Sequence, residues 1–207
     1  MIYKSREDET VLKFNNFFAM LSRMKYINRW GLMRNTINEN IAEHSLETAF
    51  IAHGLAVIAN TYFGKDIDEN AVAVAAMFHD TTEIITGDMP TPVKYFEPNI
   101  KEAYKKVEKE AQKKLLSSLP DEMRQKYHNI YTTESKKAEL YRYVKAADKL
   151  SALIKCIEER KMGNMDFESA EETTLKSVKK MEMEEAEYFI EHFLPAYSFT
   201  LDEQTKE

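Results

Sequence analysis

Residues 71–78, Ala-Val-Ala-Val-Ala-Ala-Met-Phe, carry no polar side chain and run directly into His79-Asp80-Thr81-Thr82-Glu83. With Asp68-Glu69-Asn70 ahead of it as a capping signal, the run predicts a helix that is apolar on all sides and must therefore be covered by other elements. His79 and Asp80 emerge at its C-terminal end, and Glu83 follows one turn later. Three groups able to bind a metal or move a proton thus crowd the edge of a core. A carboxylate in such a place is costly without a partner. A His-Asp pair is a weak motif alone, so the rest of the chain has to supply its context.

That context is helical. Only five glycines and five prolines occur in 207 residues, and β-branched residues seldom alternate with polar ones, which points to an all-α protein. We expect one domain over residues 1–207, with a core of about 14–199 and a loose polar tail from Thr200. The first helix is expected from about Glu9 to Lys25, with Val11, Phe14, Phe18 and Leu21 on one face and Phe17, Met20 and Met24 widening it. An irregular connection holding Arg29 and Trp30 follows. Asn40-Ile41-Ala42-Glu43 has the spacing of a reciprocal cap, which starts a helix at Ile41 and runs it to about Tyr62. Asp88-Met89-Pro90-Thr91-Pro92 reads as a stiff extended turn, because two prolines exclude helix interior. Further helices are expected at about Glu97–Leu119, Glu122–Ile130, Ser135–Lys161 and Ser169–Phe193. In the first of these, Ile100, Tyr104, Val107, Ala111 and Leu115 form the stripe.

Charge and composition exclude several roles. A net charge of −6 argues against a polymeric nucleic-acid partner, which usually meets a basic stripe. No apolar run approaches the ~20 residues that span a bilayer, and the charged N-terminal stretch lacks the apolar segment of a secretory signal, so a cytoplasmic protein is expected. The single cysteine, Cys156, lies among Leu153, Ile154 and Ile157 and reads as a core residue.

Two more residues are out of keeping with their surroundings. His44 sits early in the second helix, and Asp148 falls on the buried stripe of Tyr141, Val144, Ser151 and Ile154. A buried carboxylate calls for a cation or several donors. Convergence of His44, His79, Asp80 and Asp148 on one divalent ion would account for all four. The mixed nitrogen and oxygen set suits manganese, cobalt, iron, nickel or zinc, and leaves positions open for water and substrate.

The order His44 … His79-Asp80 … Asp148 resembles the pattern of HD-domain metal-dependent phosphohydrolases. Asn28-Arg29-Trp30, Asn40-Ile41-Ala42-Glu43-His44-Ser45-Leu46, His79-Asp80-Thr81-Thr82-Glu83, Gly87-Asp88-Met89-Pro90-Thr91-Pro92-Val93-Lys94 and Lys145-Ala146-Ala147-Asp148 narrow it. Together they resemble the bacterial HD-domain 5′-deoxynucleotidases over about residues 14–203. The resemblance implies an HD-type helical bundle and one divalent ion, cobalt, manganese or another transition metal, on His44, His79, Asp80 and Asp148. It implies deoxynucleoside 5′-monophosphates as substrates. Arg29 would orient the phosphate, Trp30 would pack near the sugar and disfavour a 2′-hydroxyl, and Asp88, Met89, Pro90 and Thr91 would line the nucleotide site, with His44, Asp80 and Asp148 also facing substrate. Glu83 and Asp88 compete for the proton-handling role, and Lys94 is placed to add charge near the phosphate. A homodimer is implied as well. The other readings are an HD phosphohydrolase acting on nucleoside di- or triphosphates and a metal-bound nucleotide-binding module without chemistry.

Overall fold

The computed structural model describes residues 14–94, 96–131 and 135–206. Among these residues the architecture is entirely helical, with a lone antiparallel bridge between Asn28 and Asn40 and no β-strand. Three helices form the centre: α2 (Ile41–Phe63), α3 (Glu69–Phe78) and α8 (Ser135–Lys161), introduced out of order because they carry the site. Helix α2 packs on both α3 and α8, and α10 (Glu184–His192) also packs on it. Small residues set this layering. Ala49, Ala52, Ala56 and Ala59 of α2 and Ala146 and Ala147 of α8 are buried, so the backbones come close while Leu55, Leu150, Leu153 and Ile154 fill the gaps. Each such leucine or isoleucine adds about 1.5–3 kcal/mol relative to exposure. Cys156 is buried, as expected.

The caps are local and legible. Asn40 accepts from the N–H groups of Ala42 and Glu43, and Glu43 reaches back to the Asn40 N–H at 3.2 Å, which starts α2 where the spacing predicts. Gly64 ends it with φ 62°, a left-handed conformation that glycine adopts without a Cβ clash.

Several expectations are corrected. Residues 9–13 of the expected first helix lie outside the described residues; the remainder is a short α1 (Phe17–Leu21) followed by a 3₁₀ turn over Ser22–Tyr26. Of the broad face expected there, Phe17 and Met24 are buried, whereas Phe14 and Phe18 are 86% and 56% exposed. The face is chosen by a tertiary partner: Phe17 enters a second cluster with Leu115 and Leu116 of α6 (Pro98–Ser117) and Leu119 beyond it. On α6 itself Tyr104, Ala111 and Leu115 are buried but Val107 is half exposed. Helix α3 is not covered all round. Val72 and Ala76, one turn apart, are buried, while Val74 and Met77 are exposed, because α2 and α8 cover one side of it.

Proline does not keep 91–94 extended. Thr91–Lys94 forms a one-turn helix, α5, with Pro92 in its first turn, where a missing N–H costs nothing. The last long helix is broken into α9 (Glu168–Lys179) and α10. Between them Glu182 has φ 51°, and Arg142 donates to the carbonyls of Met181 and Glu182, so the freed backbone groups are satisfied while Met183 turns inward to 3% exposure. The polar tail, expected to be loose, holds a helical turn. Thr200 and Glu203 form a reciprocal cap on a one-turn helix over Leu201–Gln204, and Lys161 bonds the carbonyl of Phe199. α7 (Asp121–Tyr131) matches its predicted place to within a residue at each end.

One buried charge pins the irregular connection to α8. Glu159, 1% exposed, accepts from the N–H groups of Thr36 and Ile37, from Asn164 and from Lys155, whose ammonium also bonds the Ile37 carbonyl. Burial opposes ionisation, yet Lys155, Asn164 and the two N–H groups outweigh it and hold the carboxyl down at about 2. Glu159→Ala strands a buried ammonium and two N–H groups, so urea unfolding is expected to show about 3–5 kcal/mol lost at unchanged m. A loss under about 1 kcal/mol would refute that account.

Candidate active site

The bridge between Asn28 and Asn40 brings two distant pieces of sequence together. Arg29 N–H donates to the Glu39 carbonyl at 2.9 Å and Ile41 N–H to the Ile27 carbonyl at 2.9 Å, which lays Arg29-Trp30 across the start of α2, beside His44. His44 is fully buried. From the facing side, His79 caps the C-terminal end of α3, its Nδ1–H donating to the Ala76 carbonyl at 2.7 Å, and the chain turns through Asp80–Thr82 into α4 (Glu83–Thr86). Asp148 projects from the middle of α8.

These groups meet. His44 Nε2 lies 3.2 Å from Asp148 Oδ1 and 3.5 Å from Asp80 Oδ2, His79 Nε2 lies 3.0 Å from Asp80 Oδ2, and the two imidazole centroids are 5.2 Å apart. His44, His79 and Asp80 offer one ligand atom each within 4.8 Å of one another, the spacing of a shared ion. Asp148, with 41% of its side chain exposed, opens toward solvent at the rim of the same cluster.

Two observations test whether a divalent ion fits. His79 Nε2 is buried with no aligned hydrogen-bond partner among the described residues, although a carboxylate oxygen stands 3.0 Å away; proximity without alignment is what a shared ion would resolve. The charge is also out of balance. Asp80, Asp148, Asp88 and Glu83 influence one another across the cluster, with Arg29 the fixed cation among them. The consequences appear in their proton affinities. Burial pulls His79 down, but the Asp80 charge outweighs it and pushes the imidazole up to about 9. Asp148, opposed by burial, is nevertheless held well below the usual carboxylate range by His44, His79 and Arg29. Glu83 goes the other way. Burial and the charges of Asp80 and Asp88 push it up to about 10, and its Oε2 is buried without a hydrogen-bond partner. The donor set fits a divalent ion.

Asp88 reaches the same cluster. Burial raises its pKa, while Arg29, His44 and a hydrogen bond with the Trp30 backbone pull against it. Its turn is anchored from α6, where Tyr104 Oη donates to the Gly87 carbonyl at 2.9 Å and approaches Thr86 Oγ1 at 3.0 Å. Met89 and Pro90 continue the same segment, half buried, and Thr91 is exposed at the start of α5. Lys94 stacks its ammonium 5.6 Å from the Tyr104 ring, and its charge lowers the proton affinity of Glu83. Trp30 packs on Phe167 at 5.4 Å between centroids and takes φ 59°, a left-handed conformation that costs a non-glycine residue about 1–2 kcal/mol. Arg29, His44, His79, Asp80, Glu83, Asp88 and Asp148 are thus brought together, Met89, Pro90 and Thr91 lie on the segment leading away, and Trp30 stands beside the cluster through its bond to Glu39.

Three supporting side chains lie outside the expected site set. Glu39 bonds both Arg29 and Trp30. Behind His44, Nδ1 sits 3.1 Å from Ser151 Oγ, which donates to Glu47 Oε2 at 2.6 Å, and 2.8 Å from Arg29 Nη1. The two contacts of Nδ1 require opposite tautomers: Arg29 needs it bare, whereas Ser151, its hydrogen directed to Glu47, accepts from a protonated Nδ1. The second leaves Nε2 bare, as metal ligation through that atom requires. Glu47 stands three residues after His44, a helix-neighbour spacing that could have flagged it; Glu39, in a polar connection, could not.

The fold is that of the HD-domain phosphohydrolases. It aligns with an HD-domain phosphohydrolase from Listeria innocua at TM-score 0.75 and 24% identity over 88% of both chains. It also aligns with the HD phosphohydrolase DatZ of cyanophage S-2L, a structure described as bound to dA and one catalytic Zn²⁺, at TM-score 0.63 and 20% identity over 86% of this chain and 95% of that one. Residues 16–197 match the family described as 5′-deoxynucleotidase YfbR-like. The chain is 47% identical over 189 residues to a 5′-deoxynucleotidase of Photorhabdus laumondii, covering 91% of this chain and 96% of that protein. It is 46% identical over 193 residues to one of Pectobacterium atrosepticum, covering 91% and 95%. The chain belongs to the YfbR-like 5′-deoxynucleotidase family. No helix among the described residues is long and apolar enough to cross a membrane.

Proposed function

We propose that this protein hydrolyses 2′-deoxyribonucleoside 5′-monophosphates to deoxynucleosides and inorganic phosphate, using one divalent transition-metal ion on His44, His79, Asp80 and Asp148. The observation that carries the reading is the juxtaposition, in a chain of this family, of a His-Asp cluster rich in negative charge with an arginine and a tryptophan laid beside it by one backbone bridge. A divalent ion there supplies Lewis-acid chemistry, lowering the pKa of a water and drawing charge from phosphoryl oxygens.

The chain's own groups do the rest. Arg29 is held by Glu39 through Nη1, while Nη2, 3.9 Å from Asp148 Oδ1, faces the cluster and binds phosphate oxygens. Glu83, with its proton affinity raised, delivers a proton to the leaving 5′-oxygen as the phosphorus–oxygen bond breaks and water adds to phosphorus. Asp88, tied to the Trp30 backbone, fixes the turn that leads into Met89, Pro90 and Thr91 along the nucleoside. Trp30 closes against the sugar where a 2′-hydroxyl would add bulk. The same reading takes the enzyme as a cytoplasmic homodimer, supported by the exposed Leu46 and Phe50 on the outer face of α2; light scattering in solution checks the dimer.

Paired assays test the activity. Metal-dependent phosphate release is expected from dAMP, dGMP, dUMP and TMP, at least about tenfold above that from the matching ribonucleotides, with little from di- and triphosphates. Trp30→Ala is expected to narrow the deoxy preference. Equal turnover of AMP and dAMP by the unaltered enzyme would overturn the specificity, and preferred release from triphosphates would overturn the substrate class.

A further inference from the structure

Arg29 and Trp30 are adjacent in sequence but do different things, and one carboxylate holds both. Glu39 Oε2 accepts from Arg29 Nη1 at 2.9 Å and from the Trp30 indole N–H at 2.9 Å. Its other oxygen lies 3.7 Å from His44 Nδ1, and the side chain is only 11% exposed. The indole has few other polar anchors: its ring leans on Phe167 and stands 5.9 Å from the Arg29 guanidinium carbon, and the backbone beneath it is held left-handed. Neighbouring residues of the connection do not duplicate the role. Asn35 bonds the Trp30 carbonyl, and Thr36 and Ile37 are bonded to Glu159, so these bonds shape the loop without reaching the indole.

We infer that Glu39 is a positioning residue that sets the phosphate arm and the sugar-reading arm of the site in one register, so that discrimination between deoxyribose and ribose depends on it. The inference rests on the substrate reading above. A single acceptor oxygen serving two donors means that any change in its position moves guanidinium and indole together. Its charge also neutralises Arg29 from behind. Glu39 does not touch the reacting atoms.

The chemistry of the contact separates reach from charge. Glu39→Gln places a carbonyl oxygen where Oε2 stands, keeping an acceptor for both donors while removing the charge. Glu39→Asp keeps the charge but withdraws the oxygen by about one carbon–carbon bond, roughly 1.5 Å. Glu39→Asp is therefore expected to cut the deoxy-to-ribo ratio of kcat/KM about tenfold or more, and Glu39→Gln to keep it within about threefold. Trp30 is the only tryptophan, so its emission reports the indole directly. A shift of the emission maximum is expected in Glu39→Asp and little in Glu39→Gln, with metal content and cooperative melting retained in both. A purely structural role would move the melting temperature and kcat without moving that ratio.

An Asp variant with unaltered emission and unaltered ratio overturns the inference, as does a Gln variant that loses both. Should the wild-type enzyme prove indifferent to the 2′-hydroxyl, the substrate reading fails by itself, and Trp30 emission still decides whether Glu39 positions the indole. Should Glu39→Asp fail to fold, the emission and ratio of Glu39→Gln remain decisive.

Discussion

Asp80→Ala is expected to abolish metal-dependent phosphate release, by about 10³-fold or more in kcat/KM, and to reduce bound metal to background in protein purified without chelator. Asp80 Oδ2 stands 3.0 Å from His79 Nε2 and 3.5 Å from His44 Nε2, so it is the shared member of the His-Asp cluster. An ion at such a site contributes several kcal/mol of transition-state stabilisation, and each ~1.4 kcal/mol is tenfold in rate. In the proposed reading, removing the carboxylate takes away both a ligand and the negative charge beside the two imidazoles. Metal analysis separates the ligand role from a proton-transfer role. An Asp80→Ala protein that binds a full equivalent of metal yet is inactive would move Asp80 from the ligand set to the chemistry, and one that stays active would overturn both.

Glu83→Gln is expected to act in opposite directions on rate and stability. In its proposed role as proton donor, Glu83 would be worth about 10²–10⁴-fold in kcat, and glutamine cannot supply the proton. The stability effect follows from burial beside Asp80 and Asp88, which raises the folded-state pKa from an ordinary value near 4.5 to about 10. A carboxyl with a raised folded pKa binds its proton more tightly in the folded than in the unfolded chain. Its contribution is unpenalised below about pH 4.5 and falls as pH rises through the interval up to about 10. Metal-free Glu83→Gln should therefore match metal-free wild type near pH 4.5 and exceed it by about 1–3 kcal/mol near pH 8, read by thermal or urea unfolding. Added divalent metal should shrink the gap, because a nearby cation favours the carboxylate. A variant that loses stability at pH 8 would show that Glu83 is ionised and paired in the folded protein.

Much of this was readable from local pattern. The reciprocal cap at Asn40 and Glu43, the Ser135–Lys161 helix and the emergence of His79-Asp80 at the end of an apolar run all follow from residues within a turn or two of one another. The failures share a cause. Phe17 rather than Phe14 and Phe18 is buried because α6 presents Leu115 and Leu116 to it, and the break at Glu182 is stabilised by Arg142, forty residues earlier. The outward exposure of Val74 and Met77 likewise depends on which side of α3 its neighbours occupy. Periodicity reports that a face is apolar; only packing decides which of two apolar faces is covered.

By itself the sequence determined an all-helical chain and the residue types of the candidate metal and phosphate site, because helix caps, apolar period and the out-of-place His44, His79-Asp80 and Asp148 are local properties. The tertiary structure alone decided how those residues are supported. Glu39 holding Arg29 and Trp30, Ser151 and Glu47 behind His44, and the raised proton affinity of Glu83 arise from contacts and burial among segments far apart in the chain. A polar side chain in an irregular connection carries no mark of its future partner, since the bridge between Asn28 and Asn40 and the clamp on Glu159 that bring the partners together exist only in the folded state.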